Sequence, residues 1–287
     1  MIGQKNLLDT FKRQIEEGTF PRFSILCGVK GSGKKLAVIE LGQYLTEGNI
    51  VFVEPKVDNI REMISTAYKV TMPTLYVLAD ADNMSPASKN AILKITEEPP
   101  NDAYFIMTLQ AITNTIPTIR SRATVYHIDP YSLGELSQYF YEQYEGIPRY
   151  NDYRELVLNI CETPGEIDNL MKTDVFAFYE FVEKVVDNID SVSIANAFKI
   201  DSNISFKENI EEKYDLVLFY KIFLTICLER MKNVDLKNTD IFKYARGVEI
   251  TAKALQSLRN ISLNNQYVFD IWILDIREDW IYGTIDT

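Results

Sequence analysis

The chain has 287 residues, 46% of them hydrophobic and 12% aromatic, which is enough apolar material for the buried cores of two or three domains. Its formal net charge of −11 is the wrong sign for tight DNA binding by the chain alone, so any DNA contact must be local or shared with partners. His127 is the single histidine. A single histidine argues against a multi-histidine metal site and gives little support for Ser-His-Asp hydrolysis. His127 is therefore predicted to be structural.

The cysteines and the apolar stretches predict a cytoplasmic protein with no membrane segment. Cys27, Cys161 and Cys227 are odd in number and far apart, which argues against a disulfide framework and against a cysteine-only zinc site. Residues 217–228 form the longest apolar stretch, which is too short for a bilayer and is interrupted by Lys221. The N-terminus lacks the apolar core of a signal peptide.

Short β-branched or aromatic runs alternate with helical patterns in the first part of the chain. The runs lie at residues 23–27, 50–53, 75–78, 104–107 and 125–128. This alternation predicts an α/β domain with a parallel sheet covered by helices. One helix is well marked, because Ser85 suits its N-cap, Pro86 suits its first turn, and Pro99 and Pro100 follow its end.

Beyond residue 130 the strand signal fades and helical patterns take over. The sequence predicts three domains: an α/β domain at 1–130, a small helical domain at 131–172 and an all-α domain at 173–287. Long amphipathic helices are expected at 176–186, 214–231 and 241–258. The polar segment 190–209 predicts a loop, with a helical pattern at 194–198.

A glycine-rich segment, GVKGSGKK at residues 28–35, stands between a predicted strand and a predicted helix. Such glycines let backbone N–H groups surround phosphate oxygens, and Lys34 would reach the β- and γ-phosphates. Lys35 replaces the Ser or Thr whose hydroxyl binds Mg²⁺, and an ammonium cannot be a metal ligand. The candidate nucleotide-binding residues are Gly28, Gly31, Ser32, Gly33, Lys34 and Lys35. We therefore predict a degenerate nucleotide site, leave weak binding of ATP or ADP open, and expect no Mg²⁺ site.

The acidic half of such a site should read apolar-apolar-Asp-Glu-x-Asp at a strand end. Here the sequence is YVLADAD at residues 76–82, so Ala79 stands at the metal-binding aspartate and Asp80 at the glutamate that polarises water. Two contributions to the metal are absent together, which predicts severely impaired hydrolysis. Asp80 and Asp82 are candidate site residues, with a role as solvated turn residues as the alternative.

At this point the sequence resembles the clamp-loader branch of AAA+ proteins, and most closely the bacterial DNA polymerase III delta-prime type. The run DADNMS at 80–85, with NAILK at 90–94 and EEPP at 97–100, is similar to the family's "DADxMS…NALLKxLEEPP". IPTIRSR at 116–122 closely matches "LPTIRSRC", with Ala123 in place of the cysteine. IGQ at 2–4 and FPRF at 20–23 are similar to the family's opening segments.

The resemblance implies a P-loop domain, a helical lid and an all-α collar through which subunits form a hetero-oligomeric ring. It implies a sliding clamp as partner, and primer-template DNA contacted through the complex. Thr108 falls at the sensor-1 position, and Arg122 would be an arginine finger that acts in trans on a neighbour's ATP. Gly165 takes the place of the sensor-2 arginine, a loss typical of delta-prime proteins. Residues 260–264 resemble the start of the last collar helices.

The sequence departs from the delta-prime family in one respect, and it allows two other functions. Many delta-prime subunits carry a four-cysteine zinc module before the acidic strand, whereas residues 46–72 contain no cysteine. The chain could instead be an autonomous P-loop ATPase that uses Lys34 on phosphate and Asp80 or Asp82 on Mg²⁺, although Lys35 and Ala79 argue against it. It could also serve another DNA-processing assembly, such as a recombination or transposition factor. The host, phage or plasmid origin of its replication system stays open.

Overall fold

The structure is a computed structural model that describes residues 2–200, 204–205, 214–233, 240–258 and 264–282. The chain divides into two compact units, residues 1–169 and residues 170–287. The predicted division of the first unit at residue 130 into an α/β domain and a helical lid domain stays a prediction.

The first unit is built on a five-stranded sheet in which every pairing is parallel. The strands are β1 (Phe23–Cys27), β2 (Ile50–Val53), β3 (Thr74–Leu78), β4 (Ala103–Leu109) and β5 (Thr124–His127). Their order across the sheet is β2-β3-β4-β1-β5. The predicted parallel α/β fold is therefore confirmed.

Helices cover both faces of this sheet. They are α1 (Lys5–Glu16), α2 (Lys34–Leu45), α3 (Val57–Ala67), α4 (Pro86–Glu97) and the single turn α5 (Pro117–Arg120). Side chains of one strand alternate between the faces, so Ile25 packs in the cluster formed with α3, α4 and α5, and Leu26 packs in the cluster formed with α1 and α2. Burial on both sides explains why β1, β3 and β4 read as continuous apolar runs.

Three helices complete the first unit. They are α6 (Leu133–Tyr144), α7 (Tyr150–Ile160) and α8 (Pro164–Leu170). Ser132 begins α6 with a capping box, in which its hydroxyl accepts from the backbone of Glu135 and the Glu135 carboxylate accepts from the backbone of Ser132.

The second unit is mostly helical, as the sequence predicts. Its helices are α9 (Val175–Asn188), α10 (Ile194–Phe198), α11 (Leu216–Asn233), α12 (Asp240–Leu258) and α13 (Asn265–Tyr282). A two-residue strand, β6 (Ile204–Ser205), pairs with β7 (Tyr214–Asp215). The rings of Phe219 and Phe223 meet Trp272 edge to face at 5.3 and 5.0 Å, and the Trp272 indole donates to Thr251 Oγ1 at 2.9 Å.

The predicted elements agree with the observed ones to within a few residues. Ser85 caps α4 by accepting from the backbone N–H of Ser88, and the helix stops before Pro99. The helical pattern at 194–198 is α10. Of the segment 260–264, only Asn264 lies within the described residues. No helix in the described part of the chain is long and apolar enough to span a bilayer.

Candidate functional site

The glycine-rich segment forms a tight loop between β1 and α2. Gly31 and Gly33 have φ values of +79° and +86°, left-handed conformations that glycine adopts without strain. Gly33 directly precedes α2. The Gly28 N–H donates to the carbonyl of Leu109 at 3.0 Å, so the loop begins where β1 and β4 end. The predicted strand, loop and helix are all present.

Lys34 is turned back onto its own loop. Its Nζ donates to the carbonyl oxygens of Gly28 and Val29 at 2.6 and 3.0 Å. Burial lowers the pKa of the Lys34 ammonium, and the nearby carboxylates of Asp80 and Asp82 oppose that shift. Two of the three N–H donors of this ammonium are therefore occupied by the loop, and one is left for a phosphate oxygen.

The two positions that would supply Mg²⁺ ligands, Lys35 and Ala79, do not fit that ion. Lys35 is exposed, and its Nζ lies 5.5 Å from the ring centroid of Phe52 on β2. Ala79, after β3, ends in a methyl group that packs against the core. Neither side chain has an oxygen atom, and oxygen atoms are the ligands that a Mg²⁺ ion requires. Within the described residues no three His, Cys, Asp or Glu side chains gather as a metal site.

The acidic strand end is tied to β4 and to the segment after it. Asp80 has a left-handed backbone, with φ +50°, and its N–H donates to the Thr108 hydroxyl at 2.9 Å. Asp82 Oδ1 accepts from the Gln110 N–H and from Asn114 Nδ2, both at 2.7 Å. The structure thus brings Asp80, Asp82 and Thr108 together. The Asp82 carboxylate fixes the backbone that follows β4 through these two hydrogen bonds.

The start of α8 lies directly on the phosphate loop. The Gly165 N–H donates to the Gly31 carbonyl at 3.0 Å. A Cβ at Gly165 would lie 2.5 Å from Gly31 Cα, a distance that non-bonded carbons do not reach. The Thr163 hydroxyl accepts from the Glu166 N–H at 3.2 Å and so caps α8 beside the loop. Glycine at position 165 is therefore required by a close backbone contact.

Two further contacts hold the loop and α8 in place. The Tyr131 hydroxyl donates to the Ser32 carbonyl at 2.8 Å. Asp168 in α8 accepts from Tyr139 at 2.8 and 2.9 Å and from Tyr144 at 2.9 Å. Burial, with help from the Asp168 carboxylate, raises the pKa of Tyr144 to about 12, so its hydroxyl remains a donor at neutral pH.

Arg122 lies at the opposite end of the sheet from the phosphate loop. Thr124 pairs with Ser24 at the amino end of β1, and His127 pairs with Cys27 at its carboxyl end. Arg122 comes before the first of these pairs, whereas the loop follows the second. The strands therefore separate Arg122 from the loop of its own chain.

The Arg122 guanidinium is held at two points. One Nη lies 2.9 Å from the Glu97 carboxylate, and the other donates to the Thr118 carbonyl at 2.9 Å. The Arg122 side chain is nevertheless 38% exposed. Arg120 is also exposed and has no ion pair in the described part of the chain.

Sequence reasoning missed three of these residues. Tyr131, Thr163 and Glu97 make contacts that join segments distant in sequence, and no local pattern identifies such partners. Thr163 and Glu97 do lie within the segments TPGE and EEPP, which was the only available signal.

Comparison with known proteins agrees with the sequence resemblance. Residues 13–132 match the model of the family described as DNA polymerase III, delta subunit. The matched range contains the phosphate loop, all five strands and Arg122. The match covers the α/β part of the chain and makes that part similar to this family. No curated protein matches this sequence.

Solved structures match over nearly the whole chain. A point mutant of RuvB from Thermotoga maritima is 14% identical and has a TM-score of 0.52, with 94% of this chain and 88% of that chain covered. A DNA replication initiation factor is 12% identical, with a TM-score of 0.53 and coverages of 99% and 96%. A DNA polymerase III gamma subunit-related protein from Thermotoga maritima is 15% identical, with a TM-score of 0.48 and coverages of 94% and 98%. The first two likenesses show that the fold is AAA+.

Proposed function

We propose that this clamp-loader-like chain is a delta-prime-type stator that does not hydrolyse ATP and presents Arg122 to the ATP site of a neighbouring subunit. The observation that carries the proposal is the position of Arg122, at the end of the sheet opposite its own phosphate loop. A guanidinium in that place can reach nucleotide only on another chain.

The condition of the chain's own loop supports the first half of the proposal. Phosphoryl transfer depends on a metal that neutralises charge and on a correctly oriented nucleophile. Lys35 and Ala79 offer the metal no ligand, and Lys34 is engaged with loop carbonyls. Gly165, at the place of a cationic sensor, packs against Gly31 instead. ATP or ADP would meet a loop whose lysine already donates to two of its carbonyl oxygens.

The chemistry of Arg122 supports the second half. A guanidinium is permanently charged and its planar fork matches phosphate oxygens. Two of its five N–H donors are used by Glu97 and Thr118, and the others remain available. We propose further that the all-α second unit joins the chain to other loader subunits, and that the assembled loader acts on a sliding clamp and on primer-template DNA.

Reconstitution tests the proposed function. The chain is expected to assemble into a stable complex with an ATPase subunit of a DNA polymerase III loader, and that complex should bind a ring clamp. A complex that forms and loads the clamp equally well without this chain would contradict the proposal.

The purified chain is expected to show no Mg²⁺-dependent ATPase activity, because Lys35 and Ala79 stand where two metal-binding side chains are needed. Steady-state turnover measured with and without Mg²⁺ checks this expectation. Lys34→Ala is the control, since trace activity that survives this change belongs to a contaminant. Turnover near 1 s⁻¹, about the low end of the usual enzyme range, that Lys34→Ala abolishes would show an active site here.

The isolated chain is also expected to bind duplex DNA weakly, because its net charge of −11 opposes phosphate neutralisation. Fluorescence anisotropy at several salt concentrations measures this affinity, with the assembled loader as the comparison. Non-specific binders usually have Kd values of roughly 10⁻⁴ to 10⁻⁶ M at physiological salt. Tighter binding by the chain alone would contradict the expectation.

A further inference from the structure

We propose that Glu97 is a positioning residue for Arg122: its carboxylate holds the guanidinium in the orientation that the neighbouring ATP site requires. This proposal rests on the proposed function of Arg122 and adds a second residue to it. Glu97 does not touch the nucleotide and acts only through Arg122.

The fold brings the two side chains together at one edge of the sheet. Helix α4 ends at Glu97, and the chain then enters β4 at its amino end, so Glu97 lies at the same edge as the residues before β5. Ile119 of α5 is fully buried and fixes the turn that precedes Arg122. The 2.9 Å contact between Arg122 and Glu97 therefore joins two anchored elements.

The neighbouring acidic residue makes no such contact with any of the residues that the structure describes. Glu98 follows the last residue of α4, has a non-helical φ of −131°, and is exposed. Its backbone carbonyl, rather than its carboxylate, accepts from the Tyr68 hydroxyl at 3.0 Å. Glu97 and Glu98 are adjacent in sequence and identical in charge, so the pair offers a matched comparison.

The contact orients Arg122 without using up its donors. Glu97 binds one Nη and the Thr118 carbonyl binds the other, so the direction of the guanidinium plane is set from two sides. The remaining N–H groups can still meet phosphate oxygens. A long arginine side chain loses rotamer freedom when it binds, and a side chain held in advance loses less. Glu97 is therefore expected to increase the rate at the neighbouring site rather than the affinity for ATP.

A restraining role for Glu97 is the alternative to the positioning role. A carboxylate that holds Arg122 back from the phosphate would restrain the finger, and its removal would raise the rate. The exposure of both side chains, 38% for Arg122 and 56% for Glu97, favours the positioning role, because water weakens the attraction that would be needed to restrain it.

The test compares assembled loaders that contain wild-type chain, Glu97→Ala or Glu98→Ala. Glu97→Ala is expected to lower the rate at the neighbouring site about two- to fivefold, the rate equivalent of one exposed ion pair. The clamp- and DNA-stimulated kcat of the loader should therefore fall by less than it does for Arg122→Ala, with an unchanged KM for ATP. Glu98→Ala should leave both constants unchanged. In an Arg122→Ala background, Glu97→Ala should cause no further loss, because its effect passes through Arg122.

An independent measurement follows the Arg122 side chain itself. In the isolated chain, the NMR order parameter of the Arg122 Nε–Hε group is expected to fall on Glu97→Ala and to stay unchanged on Glu98→Ala. If Arg122→Ala lowers kcat, two results for Glu97→Ala would overturn the positioning role and leave the proposed function standing. One is an unchanged order parameter, and the other is an unchanged or raised kcat. If Arg122→Ala has no effect, the proposed function fails and this proposal fails with it.

Discussion

Replacement of Arg122 by alanine is expected to lower the clamp- and DNA-stimulated ATPase of the assembled loader without disturbing its assembly. An arginine finger stabilises charge on the transferred phosphoryl group and can contribute roughly 10³ to 10⁵ in rate at the site that it serves. Only one neighbouring site would lose its finger, so the loss in a loader with several ATP sites should be partial. Arg122→Lys should restore little, because an ammonium lacks the planar fork.

Folding should survive this change. The pair that Arg122 makes with Glu97 is exposed on both sides, and such pairs contribute about 0 to 1 kcal/mol to stability. Arg120→Ala is the matched control, because Arg120 has the same charge, lies two residues away and has no ion pair in the described ranges. Steady-state ATPase and clamp-loading rates, with assembly checked by size-exclusion chromatography, measure the result. Equal rates for wild-type and Arg122→Ala loaders would rule the role out.

The sequence predicted the sheet and most of the helices because their signals are local. Each strand of the sheet is a short apolar run bounded by polar or turn residues, and the helix at Pro86–Glu97 carries a Ser cap, a first-turn proline and two prolines after its end. The order of the strands across the sheet was not predictable in the same way. It depends on which crossovers pack, which no single segment specifies.

In the candidate site, too, the sequence predicted the local features but not the contacts that depend on tertiary structure. The loop glycines, Lys35 and Ala79 were recognisable because each is a residue type at a fixed place in a motif. The direction of the Lys34 side chain was not, because it depends on which acceptors the folded loop presents. The contact of Arg122 with Glu97 joins residues 25 positions apart through two anchored elements, so it required the tertiary structure.

The contact between Gly165 and Gly31 yields the second large expected effect. Gly165→Ala should destabilise the chain, because the new methyl group would lie 2.5 Å from Gly31 Cα and 2.9 Å from the Gly31 carbonyl oxygen. Both atoms belong to the backbone and cannot turn aside as a flexible side chain does. Overpacking of this kind costs typically about 1 to 3 kcal/mol. Lifting α8 would also break the hydrogen bond from Gly165 to Gly31, worth roughly 1 kcal/mol.

The matched control is Gly134→Ala, in the first turn of α6. The nearest atom that its Cβ would meet is the Ser132 hydroxyl at 3.9 Å, so the methyl group fits. Alanine also favours a helix over glycine, by about 0.5 to 1 kcal/mol in a helix interior. The melting temperature should therefore fall for Gly165→Ala and stay level or rise for Gly134→Ala. Hydrogen exchange at the Gly31 region should increase only in the first variant, since its loop loses the cover of α8. Equal melting temperatures and equal exchange in the two variants would mean that α8 does not rest on the phosphate loop in solution.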